Sequence, residues 1–385
     1  MKVLVEFENK PLLFRDPDYI ISCSDPSLFR LAFDKIEEAL RQGYFLAGFF
    51  SYEAGRCFEK KLSSAVKSGF PLIYLGAYRG FHRGRMGEES GGFRLENPRL
   101  NIGRTEYSAD IEAIRDDIAR GNVYQVTYCI KFNFEFRGGP FSLYCRLLKE
   151  QPVPYPAYLE AEAFQILSLS PELFIKKSSS FLMSKPMKGT WPCGRGFLSD
   201  LAAPLRLKYD PKNRAENVMI ADLLRNDLGR MGNDVRAPAL FEVARYKTLC
   251  QMTSTVTAAI DKDLPVYDLF SAVFPSGSVT GAPKISAMDI IGRLENEERK
   301  IYTGAIGFIR PDRDMFFNIP IRTILIPGKI SPSAFRPAEM GIGGGIVWDS
   351  TPEGEWNEGL FKARFLTDLF PGTSFQGTPC CSITV

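Results

Sequence analysis

The chain has 385 residues, 45% of them hydrophobic and 30 of them Phe, which is ample for a sizeable core in one large domain or two ordinary ones. Its 48 basic and 45 acidic residues leave a formal charge of +3 without long single-sign blocks, so neither nucleic acid nor an anionic membrane is expected as a general partner, while a small anionic ligand is compatible. A single histidine, His82, excludes mechanisms that need two and argues against a Ser-His-Asp triad, and eight cysteines without a Cys-x-x-Cys pair suggest neither zinc nor a disulfide framework.

In chain order, the start Met1-Lys2-Val3-Leu4-Val5-Glu6 places an acid inside a short apolar run and lacks a signal-peptide pattern. The longest apolar patch, residues 44–50, is far too short to span a bilayer, and reduced thiols in the cytoplasm are expected. Extended runs at 3–5, 45–50 and 72–75 flank a helix predicted over 28–42, where Leu28, Leu31, Ile36 and Leu40 fall near one face. Residues 83–103, rich in Gly, Arg, Glu and Ser, read as a long surface loop. A helix is predicted over 108–121, with Ile111, Ile114 and Ile118 at helical spacing and Gly121 as its stop. Strands follow at 122–128, 157–160 and 164–169, with a further strand-like run at 173–175.

A helix over 215–228 carries Val218, Ile220, Leu223 and Leu224, and another starts at Pro283 and reaches Leu294. Strands return at 306–309, 319–326 and 341–347, and a last helix spans 355–370. There is no internal repeat and no strict β-α-β alternation, so the expected class is α+β, with large antiparallel sheets and helices packed outside.

Three constellations bear on chemistry. In Ser184-Lys185-Pro186-Met187-Lys188-Gly189-Thr190, one lysine stands at a predicted strand end beside a flexible glycine, a place for a nucleophilic amine or for an ordinary solvated charge. Glu355, Glu358 and Lys362 stand at i, i+3 and i+7 on one helical face, and Glu216 opens another helix. Such acids, without histidine or thiolate partners, suit a hard cation such as magnesium, although the same spacing also describes an exposed Glu-Lys stripe. The segment from Pro275 through Gly277, Ser278 and Gly281 to Lys284 leads into a helix amino end that favours an anion, but it lacks the Gly-Lys-Ser/Thr of a phosphate-binding loop. Gly341-Ile342-Gly343-Gly344-Gly345 likewise fails the dinucleotide fingerprint.

Taken together, these segments closely resemble the chorismate-binding family, which includes anthranilate synthase component I, aminodeoxychorismate synthase component I and the isochorismate and salicylate synthases. The resemblance covers about residues 100–368. It rests on Gly121-Asn122-Val123-Tyr124-Gln125-Val126, Ser170-Pro171-Glu172, Pro186-Met187-Lys188-Gly189-Thr190, the run from Ala215-Glu216-Asn217 to Arg230, the Phe274-to-Lys284 segment, Ile321-Arg322-Thr323, and the block from Gly343 to Lys362. The fold it implies is a sandwich of two large antiparallel sheets with helices outside, read here as one domain over 1–385 with an amino-terminal subregion to about 100 and a tail at 369–385.

The resemblance also implies roles. Gln125 stands where water-adding members have a lysine base, and Lys188 where anthranilate synthases have alanine; the combination resembles the branch that places ammonia on carbon 4 of chorismate for folate synthesis. Lys188 and Glu172 then match the nucleophile and the general acid, and Glu216, Glu355 and Glu358 the magnesium ligands. Gln125, Gly189, Thr190, Ser278, Tyr302, Arg322, Gly343, Gly345 and Lys362 match substrate contacts. Ammonia is expected from a separate glutamine amidotransferase subunit or from solution, because no Cys-His glutaminase pair exists with His82 alone. The chain departs from the family pattern at Asn217 and Gln251, where members carry histidine, and at Trp191-Pro192-Cys193. The tryptophan-regulation motif is missing, so feedback by tryptophan is not expected. Anthranilate synthase component I is the alternative enzyme, distinguished by pyruvate release; a non-catalytic partner of an amidotransferase and a nucleotide-binding protein are alternatives of other classes.

Overall fold

A computed structural model describes residues 1–63, 69–87, 91–192, 197–245, 249–331 and 333–370. Its strands form two antiparallel sheets. The first runs Gly281–Ala282, Gln125–Gly138, Arg336–Ile346, Thr323–Pro327, Phe164–Ser170, Tyr155–Glu160, Lys2–Val5, Leu12–Arg15, His82–Arg83, with Phe93–Leu100 also on Gln125–Gly138. The second runs Met187–Pro192, Leu249–Ala259, Phe181–Lys185, Leu173–Ser178, Met315–Asn318, Ala305–Ile309, Phe45–Phe50, Ile73–Tyr78, Tyr19–Cys23, with Asn233–Arg245 on Leu249–Ala259. Strands from the first hundred residues therefore pair directly with later ones in both sheets.

The sheets pack face to face through Val3, Val5, Phe14, Phe49, Ile166, Phe308 and Phe316. Helices cover both outer faces. Phe29–Arg41, Pro211–Gly229 and Val266–Val273 bury Phe33, Ile36, Leu224 and Phe270 on the second sheet. Arg104–Ala119, Pro140–Glu150, Lys284–Leu294 and Pro352–Thr367 bury Ile111, Leu147, Ile291 and Ala363 on the first. Because the central strands are covered on both sides, Phe164–Ser170 is buried at every position, its polar Gln165, Ser168 and Ser170 included. Among the described residues no helix is long and apolar enough to cross a membrane.

The α+β sandwich is as expected, but several boundaries differ. The loop read over 83–103 contains the strand Phe93–Leu100, in which Leu95 faces the core while its charged neighbours face outward; the charge density hid a period of two. The strand read over 319–326 begins only at Thr323, because Arg322 adopts φ 51°, outside the extended region. The helix read from 215 starts at Pro211, since the Asp210 side chain accepts from Asn213 N at 2.8 Å and Pro211 suits the first turn. Neither the hairpin of Asn233–Arg245 with Leu249–Ala259 nor the helices Phe197–Tyr209, Pro140–Glu150 and Val266–Val273 were legible. Cys193 and residues 371–385, which hold most of the tail, lie outside the described residues.

Candidate active site

The glycine strand Arg336–Ile346 lies where the first sheet faces the edge strand Met187–Pro192 of the second, and its missing side chains make the room. A Cβ at Gly345 would fall on the Gln125 amide nitrogen and lie 3.1 Å from Lys188 Nζ, so that amide and that amine converge on one bare stretch of backbone. At Gly344 a Cβ would meet Glu355 Oε2 at 2.9 Å, Lys362 Nζ at 3.6 Å and Glu358 Oε1 at 3.7 Å. Lys362 Nζ also donates to the Gly343 carbonyl at 2.8 Å and pairs with Glu358 at 2.7 Å. Gly345→Ala should cost about 1–3 kcal/mol through overpacking against Gln125, measured as a lowered Tm; an unchanged Tm would show that the amide moves aside freely.

Gln125 is fully buried, yet neither its amide oxygen nor its nitrogen has a hydrogen-bond partner. Native interiors rarely leave such atoms alone, and where they do a ligand or functional role is the physical expectation. Lys188 lies within the edge strand, not at a strand end, and Gly189 beside it takes φ +95° with Asn213 against it. A bulge between Met187 and Thr190 makes this local turn of the strand. Burial pulls the Lys188 pKa down, and the charges of Glu216 and Glu172 oppose that shift without cancelling it.

Glu172 follows the strand Phe164–Ser170. It is buried, and its Oε1 accepts from Ser278 Oγ at 2.6 Å and from Met187 N at 3.3 Å. Burial pushes its carboxyl up to about 7, against the Ser278 hydrogen bond and the Lys188 charge, which hold it down. Ser278 is set by Ser276, 3.0 Å away, in the 3-10 turn Gly277–Val279. The site thus holds a poised acid and a weakened amine in reach of each other's charge, the pairing that proton transfer and amine attack require.

The acids come from two helices. Glu355 is buried and accepts from Ser350 Oγ at 2.6 Å; burial first and Glu358 second raise its pKa. Glu358 is lowered by Lys362. For Lys362 burial works downward, but Glu358 and Glu355 outweigh it and the net shift is upward. Glu216 is raised by burial, with Lys188 opposing and Glu358 adding. Among the described residues no three His, Cys, Asp or Glu side chains stand together as a formed metal site. In chemistry the donors nevertheless fit magnesium: all are hard carboxylate oxygens, and the mutual repulsion that raises Glu355 is what a divalent cation relieves. The exposed-stripe alternative fails for Glu355, which is buried, and holds in part for Glu358, which is exposed.

Not every expected contact gathers at Lys188. The Tyr302 ring lies over Gly341, further along the strand. Arg322 sits in the turn before Thr323–Pro327, where its carbonyl accepts from Leu169 N at 3.1 Å. Thr190 pairs in register with Gln251. Two of the three departures are buried amides: Gln251 has no partner for either polar atom, and Asn217 accepts from Ser254 while its Nδ2 is unpartnered. Asn213, Ser254, Ser350 and Glu295 were missed from sequence, and of these Glu295 alone left a signal, its i, i+4 spacing to Arg299.

Residues 84–368 match the chorismate binding enzyme family. The chain is 38% identical over 259 residues to aminodeoxychorismate synthase component 1 of Bacillus subtilis, covering 67% of this chain and 54% of that protein. It is 34% identical over 276 residues to anthranilate synthase component 1 of Aquifex aeolicus, covering 71% of this chain and 54% of that one. The chain thus spans about half the length of these curated relatives. The crystal structure of anthranilate synthase component I from Streptococcus pneumoniae superposes with a TM-score of 0.74 at 23% identity, over 94% of this chain and 89% of that chain, which supports the fold. With the family match extending over most of the chain and ending at the helix that carries Glu355, Glu358 and Lys362, the chain belongs to the chorismate binding enzyme family.

Proposed function

We propose that this chain aminates chorismate at carbon 4, forming 4-amino-4-deoxychorismate for folate synthesis, with ammonia delivered by a glutamine amidotransferase subunit. The observation that carries the reading is the Lys188 amine, its pKa lowered by burial, beside the unpartnered amide of Gln125. The component 1 in the name of the Bacillus subtilis relative supports a second subunit.

In this mechanism the neutral Lys188 amine adds to carbon 2 while Glu172 gives its proton to the departing 4-hydroxyl, and the ring double bonds shift toward carbon 4. Ammonia then adds at carbon 4, the double bonds return, and the lysine amine leaves carbon 2, so the enolpyruvyl ether stays intact. Glu172 recovers a proton from the incoming ammonia. Glu216, Glu355 and Glu358 would hold magnesium, which when bound draws electron density toward the ring carboxylate. Lys362 and the Gly343–Gly345 backbone line the substrate's other side, and Gln125, neutral where a base would activate water, keeps the site to ammonia.

The test is incubation of the chain with chorismate, magnesium and either ammonium or glutamine, followed by mass spectrometry. An aminated product that retains the enolpyruvyl group, formed from ammonium and not from glutamine, is expected. Anthranilate with pyruvate would replace this reading by the alternative enzyme, and binding without turnover would replace it by a non-catalytic role. At fixed free ammonia, kcat/KM should fall as pH rises through about 7, because Glu172 acts only when protonated. Ser278→Ala removes a bond that lowers the Glu172 pKa, so that limb should move to higher pH; a limb that stays in place would assign it to another group.

A further inference from the structure

The strand Gln125–Gly138 is paired with the glycine strand along one edge, but its other edge is covered only in part. Gly281–Ala282 pairs with it at Gln125 and Val126, and Phe93–Leu100 pairs from Phe132 to Gly138. Between these, the outward backbone groups of Thr127, Cys129 and Lys131 have no strand to meet. Thr127 N donates to the Thr280 carbonyl at 2.8 Å and the Lys131 carbonyl accepts from Asn101 N at 3.0 Å, and side chains meet other groups of this edge. Arg299 Nη2 donates to the Thr127 carbonyl at 2.6 Å, Cys129 N donates to Glu295 Oε1 at 3.0 Å, and Lys131 N donates to Asn101 Oδ1 at 2.8 Å.

Arg299 and Glu295 form one unit, one turn apart across the end of the helix Lys284–Leu294, with side chains 2% and 6% exposed. Nε reaches Glu295 Oε2 at 2.8 Å and Nη2 reaches Oε1 at 2.6 Å, a two-pronged pairing that lysine cannot reproduce. The remaining donor group, Nη1, bonds the Val279 carbonyl at 2.8 Å and Thr303 Oγ1 at 3.2 Å. Val279 follows Ser278, the partner of Glu172; Thr127 and Cys129 are the register partners of Gly345 and Gly343. One guanidinium therefore ties the loop that carries the acid's partner to the strand that backs the glycine floor. Its own backbone N donates to Glu53 Oε1 at 2.8 Å, which joins this hub to the amino-terminal strands.

We propose that the Glu295–Arg299 pair is a positioning device for the active site, standing in for an absent strand and setting Ser278 against Glu172 across from the Gln125 strand. The proposal rests on the amination read at that site. The Arg299 guanidinium is bonded to Glu295, Val279, Thr303 and Thr127, so in this proposal it acts through Ser278 and through the register of the Gln125 strand. A buried ion pair need not stabilise a fold over an apolar substitute, which makes geometry the more fitting reason for its presence.

The test uses Arg299→Lys, which keeps charge and loses the fork, and Glu295→Gln, which keeps shape and loses charge. For Arg299→Lys, kcat should fall about tenfold per folded chain with KM for chorismate changed less than about twofold, since ground-state contacts are untouched. The alkaline limb of its kcat/KM profile should move to higher pH, as with Ser278→Ala. The double variant Arg299→Lys/Ser278→Ala should be within about twofold of the worse single one, because both remove the same placement. A lowered Tm with unmoved pH limb, or effects that multiply, would make the pair merely structural and overturn the proposal. Amide exchange separates this from the reaction itself: in Glu295→Gln the Cys129 amide, which donates to Glu295, should exchange about tenfold faster while Thr257 in the second sheet is unchanged. That result would support the ladder role even if the parent chain released anthranilate, whereas uniform or absent acceleration would overturn it.

Discussion

Replacing Lys188 with alanine is expected to lower chorismate amination by about 10³-fold or more, the scale seen when a covalent nucleophile is removed. The amine stands 3.1 Å from the Cβ position of Gly345, and burial has already moved its pKa toward the neutral form that attack needs. Lys188→Arg decides what the side chain does. Arginine keeps a positive charge near Glu216 and Glu172 but offers no usable nucleophile, so the Arg variant should be as inactive as the Ala variant. If charge alone mattered, the Arg variant would retain most of the activity and the nucleophile role would be lost. A chorismate-derived adduct on Lys188, trapped in the parent and found by peptide mass spectrometry, is the positive counterpart. In the Ala variant, ammonia gains an open path to carbon 2, so traces of the carbon-2 product are compatible with the same mechanism.

Glu358→Gln should lower amination by about 10²–10³-fold, because losing one carboxylate from a hard-cation site removes several kcal/mol of charge stabilisation. The fold should hold. Glu358 is exposed, and its pair with Lys362 at 2.7 Å is of the kind that contributes about 0–1 kcal/mol. Two readouts keep metal binding apart from turnover: magnesium should raise the Tm of the parent and leave that of Glu358→Gln unmoved. Glu355→Gln should behave alike in activity, with a larger loss of stability because that carboxyl is buried against Ser350. Full activity of the parent in chelator, or of Glu358→Gln with magnesium, would remove these three acids from a metal role.

Much of the fold was readable because its signals are local. The helix over 28–42 and the strands at 45–50, 164–169 and 306–309 are announced by apolar periodicity or by runs buried on both faces, and they stand where expected, within a residue or two at most boundaries. The seven motifs placed the chain in its family for the same reason, since each is a contiguous string. What stayed hidden was non-local. The strand Phe93–Leu100 is masked by charges on its outer face, and Asn233–Arg245, with Pro238 inside it and no position buried, is held by its neighbour in the sheet.

The sequence by itself determined the chemistry available: a lysine in Pro-Met-Lys-Gly-Thr, an acid in Ser-Pro-Glu, carboxylates at helical spacing, and no second histidine to compete with them. Only the tertiary structure decided what those groups become. Glu172 is an ordinary carboxylic acid until burial beside Ser278 moves it to about 7, and Lys188 an ordinary amine until the Gln125 strand and Gly345 close over it. Glu295 and Arg299 look like a common helical ion pair until an incomplete strand edge turns them into its missing partner. The reason is the same in each case: residue identity sets which atoms can donate, accept or attack, while desolvation and facing charges depend on neighbours that are distant in the chain.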